Sequence, residues 1–424
     1  MRSPLPRAPF PLFTGFLLLC AAPATQAAPA GTEVLSEHYR LHSEGPREEA
    51  EEWSRVLEAA WPQFQAFFEA APRLGQGERL GVGFYETQAA WKKGISDAGG
   101  SPPGDGAGGY YDPGSKTAFL YRQPTVWYTR TLLIHEVSHQ FHFLARTHNK
   151  PPTAGWYTEG LAEHLSHHTW NGKTLRLGVV PLLSLEDRAG KALSTVGAPG
   201  FKIEDLVSGA AAGRPESMHL VRFLATADDK KRSARFLDLA RKMDQGSAGA
   251  ESLFAREFNP LKAFLAEWRA WLPTVQEPWA GVHVEWEARG PAAIRGRATV
   301  VSACRTKAPA SMVCARFVPP PGDWSAGVLL QWAATDDFTV GLVDRGVSCR
   351  VDRFVKGTWT KFPVTPPQAP GTDGVWEVRA LRRAGKVVFT VNAKEIGSYD
   401  LPGDVLGLAV DHSVIDFTDL RWDN

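Results

Sequence analysis

Leu132-Leu133-Ile134-His135-Glu136-Val137-Ser138-His139-Gln140 decides how the rest of the chain is read. On an α-helix, positions i and i+4 lie about 40° apart around the axis and one turn apart along it, so both imidazoles can reach one metal ion. Glu136 sits beside them, near enough to take a proton from a metal-activated water without being a ligand itself. His-Glu-x-x-His arises by chance roughly 0.02 times in a chain of this composition, so the pattern needs context.

The context supports it. Seven of the twelve histidines fall between His135 and His168. Ile134, Val137 and Phe141 predict a buried helix, and buried imidazoles need partners, which a divalent metal supplies. Glu159 follows with nineteen residues between it and His139, in Gly155-Trp156-Tyr157-Thr158-Glu159-Gly160-Leu161-Ala162-Glu163. Glu163, four positions on, shares its helical face. Two neutral imidazoles and a carboxylate with an open fourth position are the ligand set of a catalytic zinc site. The expected cofactor is therefore Zn2+.

Outward from this centre, Gly45 to about Pro273 carries mainly helical patterns. Trp53, Val56, Leu57, Ala60, Trp61, Phe64, Phe67 and Phe68 make one apolar stripe, with Pro62 placed to bend it. Arg79–Tyr85 is expected as a strand and Gln88–Ser96 as a short helix. After the Gly- and Pro-rich loop Gly99–Gly109, Tyr110–Tyr111, Asp112-Pro113-Gly114-Ser115 and Thr117–Tyr121 read as strand, turn and strand. Pro124 and a Thr125 cap introduce a long helix over Val126–Arg146. Further helices are expected at Trp156–His168, Pro215–Ala225, Asp229–Met243, Ala250–Phe258 and Pro260–Leu272.

Past Pro278 the period falls to 2. Val282, Val284 and Trp286 alternate with polar neighbours, and short strands follow at Ala298–Ala303, Met312–Val318, Gly327–Trp332, Phe338–Val343, Val375–Leu381, Val387–Val391, Leu406–Val410 and Val414–Trp422. The expected architecture is an α+β domain over 31–275 and an all-β, jelly-roll-like sandwich over 279–424.

Length and charge agree with two domains. The chain has 424 residues, too many for a single core, and its 47 basic against 46 acidic residues argue against a nucleic-acid partner. Residues 1–27 have the form of a signal peptide: Arg2 and Arg7, an apolar run Phe10–Ala22, then small residues. Export to the periplasm, cell surface or medium is expected, with no transmembrane segment. Three cysteines would remain, so at least one thiol is free; Cys304 and Cys314 either staple a hairpin or are small buried residues.

The spacing His135-Glu136-x-x-His139, Glu159 and an acid four further on resembles the gluzincin metallopeptidases, the thermolysin-like clan. Trp156-x-x-Glu159-Gly160-x-Ala162 also resembles their aminopeptidase N branch. An uncharacterised bacterial family of predicted exported zinc peptidases is most similar, with Gly-Tyr-Tyr-Asp-Pro (here Gly109 to Pro113) ahead of the metal helix. The resemblance spans about residues 35–272 and is specific around 108–165. It implies a gluzincin-like fold, His135, His139 and Glu159 as zinc ligands, and Glu136 as the general base that hands a proton to the leaving amine. Glu163 would lie behind the ligands, holding a histidine in its metal-binding tautomer. Gluzincins usually stabilise the oxyanion with a downstream Tyr or His, but no tyrosine lies between Tyr157 and Tyr399. His219 is the first candidate, ahead of Tyr110 and Tyr111.

Other features have plainer readings. His142 is expected to be packed or partner-bonded, and His164, His167 and His168 a polar helix end. Asp228, Asp229, Lys230, Lys231 and Arg232 are a solvated helix start. Tyr110, Tyr111 and Phe119–Tyr121 are either a substrate-pairing edge strand or ordinary hairpin packing. Seven of fifteen tryptophans lie at 279 or later, where core packing is the favoured role. Trp376-Glu377-Val378-Arg379, Lys386 to Asn392, Gly407 to Val410 and Phe417 to Leu420 resemble concanavalin- or laminin-G-like sandwiches, which implies a glycan or cell-surface ligand. The expectation is an exported zinc peptidase acting on a peptide or protein. The alternative is a cell-envelope or glycan-binding protein with a zinc-binding but inactive peptidase-like domain.

Overall fold

The computed structural model describes residues 31–423 except 185, 211–212, 227–229, 247–248, 282–285, 346–347, 368 and 371. The expected signal peptide, Asp228, Asp229, Val282 and Val284 lie outside the described residues.

Strands β1 (Thr32–Leu35), β2 (Tyr39–Ser43), β3 (Leu80–Tyr85), β4 (Gly109–Asp112) and β5 (Thr117–Tyr121) form a sheet ordered β1-β2-β3-β5-β4. β2, β3 and β5 are parallel, while β1 and β4 run antiparallel to their neighbours, leaving β4 at an edge. Alternation along β3 and β5 splits their apolar side chains between two faces. Val82, Phe84, Ala118 and Leu120 meet α1 (Arg47–Phe68) and α3 (Val126–Arg146), whereas Tyr85 and Phe119 meet Trp91 and Ile95 of α2 (Gln88–Asp97). α1 continues through Pro62.

Next comes α4 (Gly155–Ser166), then the hairpin β6 (His168–Trp170) and β7 (Leu175–Leu177). The expected helix to His168 is thus cut short: His167 takes an extended conformation and the chain turns into β6. Helices α5 (Arg188–Gly197) and α6 (Ile203–Ser208), which the periodicity did not predict, lead to α7 (Arg214–Thr226), α8 (Lys230–Asp244), α9 (Ala250–Glu257) and α10 (Leu261–Trp271). α4 crosses α7 closely at Gly160, where a Cβ would come within 2.6 Å of the Ser217 carbonyl oxygen.

The C-terminal region is a sandwich of two seven-stranded antiparallel sheets. Its strands are β8 (Trp279–Gly281), β9 (Trp286–Gly290), β10 (Ala293–Ala298), β11 (Ser302–Thr306), β12 (Met312–Phe317), β13 (Ser325–Ala334) and β14 (Asp337–Asp344), followed by β15 (Ser348–Val355), β16 (Thr358–Phe362), β17 (Trp376–Arg383), β18 (Lys386–Val391), β19 (Lys394–Tyr399), β20 (Gly407–Asp411) and β21 (Ser413–Asp423). One sheet runs β19-β18-β17-β12-β21-β10-β9, the other β16-β15-β14-β13-β20-β11-β8. The single strand expected at 298–303 is instead split: Ala298 ends β10, 299–301 form the connection, and Ser302 and Ala303 begin β11.

Cys304 on β11 and Cys314 on β12 belong to different sheets, so they do not close the anticipated hairpin; with Cys349 they are free thiols. Trp279, Trp286, Trp324 and Trp376 are buried, as packing demands. The two regions interlock, because Leu182 and Leu183 join the sandwich core and Leu182 accepts a hydrogen bond from Trp279 N at 2.9 Å. No helix among the described residues is long and apolar enough to cross a membrane.

Candidate metal centre

α3 is held in place before any metal is considered. Its first turn is capped by the Thr125 hydroxyl, which accepts from Tyr128 N at 3.0 Å. The Gln140 side-chain amide donates to the carbonyls of Gly81 and Lys116 at 2.9 and 2.8 Å, pinning the helix to the sheet. Ile134, Val137 and Phe141 point into the core, which turns His135, Glu136 and His139 toward β4 and α4.

His135 Nε2 and His139 Nε2 face each other at 3.2 Å; Glu159 Oε2 lies 3.5 Å from the first and Oε1 3.6 Å from the second. Four ligands at zinc-bond lengths near 2.05 Å define a tetrahedron with edges of about 3.3 Å. Two imidazole nitrogens and one carboxylate have the chemistry of such a face and lie within 4.8 Å of one another, with Arg214 3.3 Å from Glu159 Oε2. The residues fit a zinc ion. Both histidines are buried, while the Glu159 side chain is 37% exposed, so the face opens on that side.

Glu136 lies under the edge strand: a Cβ on Gly109 would meet its Cγ at 2.6 Å. Burial, with Glu159 adding to it, pushes the Glu136 carboxyl up to about 7 against the opposing pull of His135, Arg214 and the Tyr111 backbone N–H. Burial also takes His139 down to about 3, favouring the neutral, ligating imidazole. For Glu159, burial is outweighed by His135, His139 and Arg214, which hold its carboxyl below the usual range.

Two arginines not anticipated from sequence complete the electrostatics. Arg214, at the start of α7, places its guanidinium 3.3 Å from Glu159 and 3.2 Å from Glu163, yet its side chain is 59% exposed. Arg188, at the start of α5, is an ion-pair partner of Glu163. Glu163 is buried with its Oε1 3.8 Å from His135 Nδ1, beyond hydrogen-bond range. It therefore stands behind His135 as expected, but its hydrogen bonds go to arginines.

Neither ranked oxyanion candidate reaches this face. His219 is fully buried, its Nδ1 on the Pro215 carbonyl at 2.9 Å, and the charged groups around it are Arg222, Arg188 and Asp187. The Tyr111 hydroxyl donates to Asn149 at 2.7 Å. Tyr110 senses the charge of Glu136, but its ring packs against the α2 side of the sheet.

No family model matches the chain, and neither does any curated protein. Among solved structures, it is similar to the carbohydrate-binding module CBM66 from Bacillus subtilis at 12% identity and a TM-score of 0.29, over 35% of this chain and 96% of that one. The GH43 protein BlXynB from Bacillus licheniformis matches at 13% identity and 0.27, over 34% of this chain and 36% of its own. Sheep galectin-11 matches at 16% identity and 0.24, over 30% and 98%.

The remaining histidines form a different kind of site. His164, His167 and His168 are buried, not a polar helix end. Arg222 Nε lies 3.4 Å from His164 Nδ1 and Arg130 lies 3.5 Å from His168 Nε2, so two buried guanidiniums replace the solvent expected there. His142 is partner-bonded, to Asp244 at 2.8 Å.

Proposed function

We propose that this chain is an exported zinc-dependent peptidase of gluzincin type, with Zn2+ on His135, His139 and Glu159. The observation that carries this reading is two imidazole nitrogens 3.2 Å apart, with the two oxygens of one carboxylate 3.5 and 3.6 Å from them, beside the buried Glu136. Bound there, zinc supplies Lewis-acid polarisation of a carbonyl and lowers the pKa of water to about 7. Glu136 does the proton work: ionised it accepts a proton, and protonated it returns one to the departing amine.

The rest of the site serves positioning. β4 is an edge strand, beside which an extended peptide can add where the Tyr111 N–H is not already taken by Glu136. With His219 and Tyr111 engaged elsewhere, Arg214 is the exposed cation at the mouth of the site, suited to a developing negative oxygen.

Metal analysis and a mixed-peptide library test the reading. The purified protein should hold about one zinc per chain, and Glu136→Gln should keep the metal while cleavage falls by about 10²–10⁴. Absence of zinc, or an unmodified protein that cuts no peptide, refutes it.

A second reading concerns the sandwich and rests on an aromatic cluster on the outer face of the β16-to-β8 sheet. Trp359, 43% exposed, lies 4.9 Å from Phe354 and 5.8 Å from Phe338, whose other side stacks on Trp332 with Arg305 over that ring. An exposed tryptophan ring beside a cationic side chain suits a sugar ring, and a glycan or cell-surface ligand is proposed there. In its strong form the protein is an envelope or glycan binder whose metal site is inactive. Retention on polysaccharide, lost in Trp359→Ala, with no peptide cleavage by the unmodified chain would select it.

A further inference from the structure

The domain boundary lies close to the metal centre, and the connection between them is continuous. Leu182 and Leu183 are buried in the sandwich core, and Trp279 N bonds the Leu182 carbonyl. Ser184 Oγ stands 2.8 Å from the buried Glu277 carboxylate. Four positions before α5, the chain is thus already gripped by the sandwich.

The grip continues into α5. Lys307, just after β11, reaches Asp187 at 2.9 Å and Glu277 at 3.4 Å. Asp187 is the N-cap of α5 and accepts from Gly190 N at 2.8 Å, so the lysine fixes the residue that fixes the helix start. The first residue of that helix is Arg188, almost fully buried, whose guanidinium pairs with Glu163 behind His135. Gln276 adds a link from the linker to the Ala189 carbonyl at 3.4 Å.

We infer that the sandwich is a working part of the metal centre, and that Lys307 is a positioning residue acting through Asp187, Arg188 and Glu163 on His135. The inference rests on the zinc reading. Partners behind a ligand histidine set its orientation and basicity, and losing one typically weakens metal binding about 10–100-fold. Lys307 acts at greater remove, so a smaller effect is expected.

The test is zinc affinity of the full-length protein, by competition with a chromophoric chelator, together with the absorption spectrum of the Co2+-substituted form. Lys307→Met should bind zinc about fivefold more weakly and alter the Co2+ bands, and Lys307→Arg should restore both. Arg345→Met, which removes an exposed sandwich ion pair with Asp323, should change neither. Should Lys307→Met fold poorly, Asp187→Asn keeps a capping side chain, removes the charge and should weaken zinc likewise. Normal zinc binding by the parent with unchanged affinity in Lys307→Met or Asp187→Asn overturns the inference and leaves the zinc reading intact. A parent that binds no zinc overturns both.

Discussion

The chain contains two clusters of buried histidines, and the contrast between them shows what makes imidazoles into a metal site. His135 and His139 turn their Nε2 atoms toward one point, where a carboxylate with a solvent-facing side closes the set. His164, His167, His168 and His219 are as deeply buried, but they pack around Arg130 and Arg222. Two of their nitrogens, His167 Nδ1 and His219 Nε2, have no hydrogen-bond partner. Number and burial of histidines do not separate the clusters. Convergence of lone pairs on a carboxylate does.

The largest expected effect tests the first cluster. His135→Ala should reduce bound zinc from about one per chain to background, as removal of one of three protein ligands demands. His219→Met should leave zinc content unchanged, and metal analysis of the two variants side by side breaks the comparison if they behave alike.

The second cluster should announce itself through acid sensitivity. Burial holds His168 and His219 down at about 3 and also lowers His164 and His167. Below about pH 6.5 the unfolded chain takes up protons that the folded one refuses, so stability is complete above that pH and drains away as pH falls toward 3. At pH 5.5, His168 and His219 together should cost about 3 kcal/mol. Urea unfolding at pH 7.5 and 5.5 measures this, and His219→Met should recover part of the loss, on the order of 1 kcal/mol.

A smaller effect separates ligands from the groups behind them. Glu163→Gln should weaken zinc about tenfold without abolishing it, since Arg188 and Arg214 lose their shared anion and His135 loses a negative neighbour. Unchanged affinity would mean that the arginine pairs are structural only.

The ligand triad was legible because His135 and His139 are related by helical geometry, and the helices and most sandwich strands by their apolar period. Arg188 and Arg214 were not, since loops bring them to Glu163 from 25 and 51 positions away. The misplaced character of His164, His167 and His168 has the same origin: what covers them is long-range, including α7 and its Arg222. Short strands such as β1, β2, β6 and β7 carry too few residues for alternation to register, and α5 mixes polar and apolar residues without a long stripe. Of the two readings of Cys304 and Cys314, small buried residues is the one seen, because β11 and β12, neighbours in sequence, were dealt to opposite sheets.

The bare backbone at Gly109 roofs Glu136 more tightly than any side chain would permit. In the proposed peptidase, the side left for water and substrate is the exposed flank where Glu159 and Arg214 stand. Even a methyl group on that ceiling would have to lift the strand or swing the carboxyl aside, trading a dry, tuned acid for a wet and ordinary one.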